Sequence, residues 1–155
     1  PGVIPAAAEN PNERAELICD GLHAHPAMVR FAFNLFGGER MVLISDALRC
    51  CGMPDGEYDL GGQPIFLKGI ECRLADGTIA GSVLKLNNAV KNVLTHTSLP
   101  VNEVFNMASL NPANAIGMGA TKGSLDIGKD ADIIICDGEF KVKKTIKKGE
   151  IKYEA

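Results

Sequence analysis

The sequence predicts an α/β fold in which a parallel β-α-β unit comes first and short antiparallel strands follow, and three observations carry that prediction. The run Met41 to Ile44 is apolar without alternation and is bounded by turn residues, the pattern of a strand buried on both faces. Ahead of it, Pro26 and Gly37-Gly38 bracket a stretch in which Met28, Val29, Ala32, Phe33, Leu35 and Phe36 form a broad apolar helical face. Beyond it, Lys68-Gly69 and Asp76-Gly77 separate short β-rich runs in the manner of hairpin turns.

Taken in order, Pro1 to Pro11 is small, proline-rich and aperiodic, and reads as a connecting loop. Ala15 to Cys19 is a short apolar strand that runs into Asp20-Gly21-Leu22-His23-Ala24-His25-Pro26. The order is strand, polar tip, helix, strand, which makes His23 the close of the first strand and Asp46 the close of the second. With the usual short right-handed crossover these strands are neighbours about 4.8 Å apart, so both side chains lie within reach of one bound molecule. Locally each residue has a plainer reading, Asp46 as a helix cap or turn aspartate and His23 as a structural histidine. His25 gives an HxH spacing, but Pro26 turns the chain into a helix at once, which favours a surface or supporting role over metal ligation.

From Tyr58 to Ile79 the strands Ile65 to Leu67, Ile70 to Leu74 and Thr78-Ile79 form an antiparallel excursion. It ends at Ala80-Gly81-Ser82, where glycine permits close backbone approach. Ser82 is placed to cap a helix carrying Val83, Leu86, Val90 and Val93, leaving N–H groups free for a ligand. Pro100 to Ser109 reads as a helix with Val101, Val104, Phe105 and Ala108 inward, and Asn111-Pro112 starts a short one that Gly117 stops. After Lys122-Gly123 the pattern returns to β, with a buried run at Ile133 to Cys136 and a hairpin over Val142 to Ile146, Gly149 and Ile151.

Composition narrows the function classes. The 155 residues are 46% hydrophobic and 23% charged, enough for a globular core. A net charge of −3 argues against a nucleic-acid surface, and the lysines between Lys141 and Lys148 read as the solvated face of a hairpin. No stretch of about 18 apolar residues predicts a membrane span. Five cysteines, Cys19, Cys50, Cys51, Cys72 and Cys136, without a CxxC pair read as reduced and mostly buried, which points to the cytoplasm. Adjacent Cys50 and Cys51 as a redox or soft-metal site is the less favoured reading, for want of a third ligand. The first residue is proline and no leader precedes it, so a longer parent chain is expected.

The order Asp20-Gly21-Leu22-His23, Ser45-Asp46-Ala47, Gly52-Met53-Pro54-Asp55-Gly56-Glu57-Tyr58-Asp59-Leu60-Gly61-Gly62 and Ala80-Gly81-Ser82 resembles the N-acetylglucosamine-6-phosphate deacetylases of the amidohydrolase superfamily. Asn111-Pro112-Ala113 and the segment Gly123 to Asp132 extend the likeness, the latter at superfamily level. The resemblance implies the C-terminal part of a (β/α)8 TIM-type barrel over residues 1–120, and strands of a small β-sandwich domain over 121–155. It implies Asp46 as the catalytic carboxylate that takes a proton from the attacking water and returns it to the departing amine. It implies substrate contacts from Asp20, Gly21, Leu22, His23, Ile79, Ala80 and Gly81. A divalent metal, zinc first and iron second, would be bound beside Asp46 by ligands upstream of Pro1, where residues holding the phosphosugar would also lie. By this resemblance the parent is a cytoplasmic homo-oligomer acting on N-acetylglucosamine 6-phosphate, and the 155-residue chain alone is inactive. Two alternatives stand beside it: another amidohydrolase such as an N-acyl-amino-acid deacylase, or a non-catalytic sugar-phosphate-binding or assembly module.

Overall fold

The computed structural model describes residues 2–155; Pro1, the first residue of the expected N-terminal loop, lies outside them. The rest of that segment is not a loop but a helix, α1 (Val3–Glu9). The prolines sit where a helix tolerates them: Pro5 falls in the first turn, where its missing N–H is no loss, and the alanines after it are strong helix formers. No residue of α1 is buried. Arg40 holds its end, donating to the carbonyls of Asn10 at 2.9 Å and Ala8 at 3.1 Å.

The predicted β-α-β unit is present. β1 (Ala15–Ile18) and β2 (Met41–Ile44) pair in parallel, from Ala15 opposite Met41 to Ile18 opposite Ile44, and α2 (Pro26–Phe36) connects them. His25 is the N-cap of α2, its Nδ1 accepting the Ala27 N–H at 3.2 Å, and Gly37 ends the helix at φ 70°. A 3-10 turn at Gly38–Arg40 leads into β2. Val29 and Phe33 form the buried stripe of α2, whereas Met28, expected inward, is 53% exposed because it lies a full helical step away from that stripe.

α3 (Leu86–His96), α4 (Val101–Ala108) and α5 (Leu110–Ala115) complete the layer packed on this pair. Met41 and Leu43 of β2 join Val29, Phe33, Val90, Val93, Val104 and Met107 in one core cluster. Each such side chain contributes roughly 1.5–3 kcal/mol on full burial. The inner face of α4 is Val104 and Met107, not Val101 and Phe105, which are 52% and 41% exposed. Phe105 turns instead toward Phe140, ring centroids 6.1 Å apart. α5 starts at Leu110, one residue before the expected Asn111. Asn111 is buried and its Nδ2 donates to the carbonyls of Gly38 and Met41, both at 2.8 Å, tying α5 to the start of β2.

The antiparallel excursion is a four-stranded sheet of β3 (Gly56–Leu60), β4 (Gln63–Lys68), β5 (Glu71–Leu74) and β6 (Ile79–Gly81) in sequence order. It opens two residues earlier than the sequence suggests. Ile65 and Leu67 of β4 point inward onto Cys50 and Cys72, and Phe66 between them points out, the period-2 alternation of a half-buried strand.

The return to β expected after Lys122-Gly123 begins at Ile133, and residues 121–132 run mostly as turns, where Lys122 bridges Asp130 at 2.6 Å and Asp132 at 2.8 Å. A three-stranded antiparallel sheet follows: β7 (Ile133–Cys136), β8 (Val142–Lys147) and β9 (Glu150–Glu154). The apolar run of β7 is not the buried strand expected, with Ile134 63% and Ile135 47% exposed. An apolar run becomes a buried strand only when something covers both faces, and the described residues do not cover these. They form no closed barrel either, the parallel part being the pair β1 and β2.

Candidate active site

Asp46 follows β2 by two residues and adopts φ 47°, in the left-handed region that costs a non-glycine residue about 1–2 kcal/mol. Aspartate tolerates that region better than most, and the neighbouring chain holds it there. The Asp46 carbonyl accepts the Ser82 N–H at 3.3 Å, the Ser82 carbonyl accepts the Leu48 N–H at 2.8 Å, and Ala47 pairs with Ser82 in a parallel bridge. Asp46 is exposed, and no hydrogen bond or ion pair among the described residues engages its carboxylate. It therefore caps no helix and braces no turn with its side chain, unlike its plainer reading.

This clasp carries Ile79, Ala80 and Gly81, the residues of β6, to the tip of β2. Gly81 is required by the closeness of the approach, since a Cβ on it would stand 3.0 Å from Cγ and Cδ2 of Leu48. Ser82 is not the helix cap expected of it. Its Oγ accepts the Leu84 N–H at 2.8 Å in a local turn, and α3 begins only after Lys85 with no side-chain cap. The free N–H groups anticipated there are thus partly spent, that of Ser82 on Asp46 and that of Leu84 on Ser82.

The His23 loop leaves β1 at the same edge from which Asp46 leaves β2, because the two strands are parallel and in register to Ile18 and Ile44. Asp20 organises this loop. Its Oδ1 accepts the N–H groups of Leu22 and His23, each at 2.9 Å, and its Oδ2 lies 2.7 Å from His23 Nδ1. Gly21, at φ 82°, supplies the backbone conformation that lets four residues close on one carboxylate. Burial opposes ionisation of Asp20, but the His23 and Leu22 N–H groups and the His23 ring outweigh it and hold the carboxyl below its ordinary range. The Asn92 side chain donates to the Cys19 carbonyl at 2.8 Å and fixes the strand end that carries Asp20. Asp20, Val83, Leu84, Asn88 and Asn92 share the wall of a cavity of about 220 Å³, which joins the His23 loop to the segment following Ser82. The role of Asp20 inside the loop was not read from the sequence, although its Asp-x-x-His spacing was there to be used.

The cysteines are all free. Cys50 Sγ lies 3.9 Å from Cys72 Sγ in the core beneath the β3–β6 sheet, and Cys51 Sγ donates to the Val83 carbonyl at 3.1 Å, so the adjacent pair points to two different partners. Burial pushes the Cys19 thiol up to about 11, as expected of an inert core cysteine. Among the described residues no three His, Cys, Asp or Glu side chains are grouped to hold a metal ion. The residues present therefore do not by themselves fit a metal centre.

Residues 59–152 match the model of the amidohydrolase family. The chain is 38% identical over 153 residues to the N-acetylglucosamine-6-phosphate deacetylase of Bacillus subtilis, covering 99% of this chain and 39% of that protein. It is 37% identical over 151 residues to an Escherichia coli K12 protein named, provisionally, N-acetylgalactosamine-6-phosphate deacetylase, covering 97% of this chain and 90% of that one. The crystal structure of the N-acetylglucosamine-6-phosphate deacetylase of Thermotoga maritima superposes with a TM-score of 0.89 at 32% identity, over 97% of this chain and 41% of the other. The chain thus spans about two fifths of the length of the Bacillus and Thermotoga proteins.

Proposed function

The chain belongs to the amidohydrolase family, and from that premise we propose that it is part of a metal-dependent deacetylase that converts N-acetylglucosamine 6-phosphate to glucosamine 6-phosphate and acetate. The observation that carries the reading is Asp46: an exposed carboxylate at the end of a buried parallel strand, its backbone clasped and its side chain uncommitted. Exposed ends of parallel strands are where chemistry collects in α/β folds.

In the hydrolysis, water adds to the acetamide carbonyl carbon and the C–N bond breaks. Asp46 removes one proton from the water and returns it to the nitrogen, so the amine departs neutral with acetic acid, which releases the second proton of the water to solvent and leaves as acetate. His23 holds a sugar hydroxyl from the neighbouring loop, and Ile79, Ala80 and Gly81 bound the substrate from the side reached through Ser82. The divalent metal of this reading, zinc or iron, takes its ligands from outside this chain, as does the phosphate, and the chain alone is then inactive.

The domain division belongs to the same proposal, with 1–120 as barrel and 121–155 as strands of the small β-domain. The separation of β7, β8 and β9 into their own sheet supports it. The free thiols support a cytoplasmic location. The test is acetate release by the metal-loaded full-length enzyme from N-acetylglucosamine 6-phosphate, with N-acetylgalactosamine 6-phosphate and N-acyl amino acids in parallel. Turnover confined to the acyl amino acids would overturn the reading.

A further inference from the structure

The Asp20–His23 pair carries an inference about how the sugar is held. Both oxygens of Asp20 are occupied, Oδ1 by two backbone N–H groups at 2.9 Å and Oδ2 by the His23 ring at 2.7 Å, and its side chain is only 6% exposed. A carboxylate so committed has little left to offer a ligand. The side chain of His23 is 24% exposed, and its other ring nitrogen has no partner among the described residues.

We propose that Asp20 is a positioning residue that fixes His23 as the Nδ1–H tautomer, so that Nε2 presents a lone pair to a hydroxyl group of the bound sugar. An ionised carboxylate only accepts hydrogen bonds, so a bare Nδ1 at this distance would set two acceptors against each other. The proton must therefore sit on Nδ1, and in the neutral ring Nε2 is the acceptor. Two N–H donors from the loop keep the carboxylate ionised and in place, which makes the tautomer a property of the turn itself. A sugar hydroxyl then points its hydrogen at Nε2, leaving its lone pairs for donors elsewhere. Asp20, expected from the family likeness to touch the substrate, acts through His23 instead. This deepens the deacetylase reading and rests on it.

The direct test is the ring ¹⁵N spectrum of His23 in the native metal-loaded enzyme at a pH where the ring is neutral, assigned with His23→Asn. A protonated-type Nδ1 and an unprotonated-type Nε2 are expected; the reverse pattern in an active enzyme overturns the proposal alone. In kinetics on the phosphosugar, Asp20→Asn is expected to lower kcat/KM at least tenfold, chiefly through KM. In a His23→Asn background it should change kcat/KM by less than twofold, whereas effects that multiply would mean that Asp20 acts independently of the ring, contradicting the proposal. Absence of any hydrolysis of acetamido sugar phosphates would remove the sugar and the deacetylase reading together, a failure distinguishable from the wrong tautomer.

Discussion

The backbone N–H of Ser82 donates to the carbonyl of Asp46 at 3.3 Å, and the two residues are thereby locked although the whole β3–β6 sheet lies between them in sequence. The excursion leaves and returns at one point, and that point is the proposed catalytic carboxylate. Packing of the sheet and placement of Asp46 are consequently linked.

Gly81 is where that link is tightest. Gly81→Ala should cost about 1–3 kcal/mol in urea unfolding, because the new methyl meets Leu48 at 3.0 Å and Leu48 must move. Pairing it with Leu48→Ala should cost less than the sum of the two single variants. Strict additivity would show that the contact does not carry the strain.

Asn111 tests the tie between α5 and β2. Removing its amide in Asn111→Ala leaves the carbonyls of Gly38 and Met41 without that donor in a buried setting. A loss of roughly 2–3 kcal/mol in denaturant unfolding is expected.

Arg40 tests α1, which buries nothing of its own. In Arg40→Ala the carbonyls of Ala8 and Asn10 lose their shared donor, and amide exchange over residues 3–9 should accelerate toward the unfolded rate. Exchange in β1 and β2 should be unchanged.

Asp132 predicts an acid sensitivity. Hydrogen bonds from the Lys122 and Lys147 ammonium groups and the Lys148 N–H hold its carboxyl well below the ordinary carboxylate range. A group whose folded pKa is depressed stabilises fully above its unfolded pKa, near 4, and loses that contribution as pH falls through the folded value. Protection of the Gly149 N–H, bonded to the Ala131 carbonyl at 3.0 Å, should therefore decline below about pH 4. Asp132→Asn should flatten that decline.

The β-α-β unit was legible because its punctuation is local: Pro26 and Gly37 bound the helix, and an unalternating Met41 to Ile44 admits few other readings. The hairpin turns at Lys68-Gly69 and Asp76-Gly77 were legible for the same reason. What escaped depended on contacts that composition and periodicity do not encode. Ser82 looks like a cap until the Leu84 N–H takes its hydroxyl, Met107 rather than Phe105 enters the core while Phe105 lies against Phe140, and Ile134 is exposed because the described residues lay nothing over it. In the candidate site, the shared edge of His23 and Asp46 followed from the order of elements. The Asp46–Ser82 clasp could be seen only in three dimensions, whereas the Asp20–His23 bond was foreshadowed by its Asp-x-x-His spacing.

Proton transfer by Asp46 is tested by Asp46→Asn in the metal-loaded full-length enzyme. Acetate release should fall by about a hundred- to ten-thousandfold, with metal content and unfolding midpoint unchanged. Undiminished turnover, or loss of the bound metal in place of loss of turnover, would contradict it.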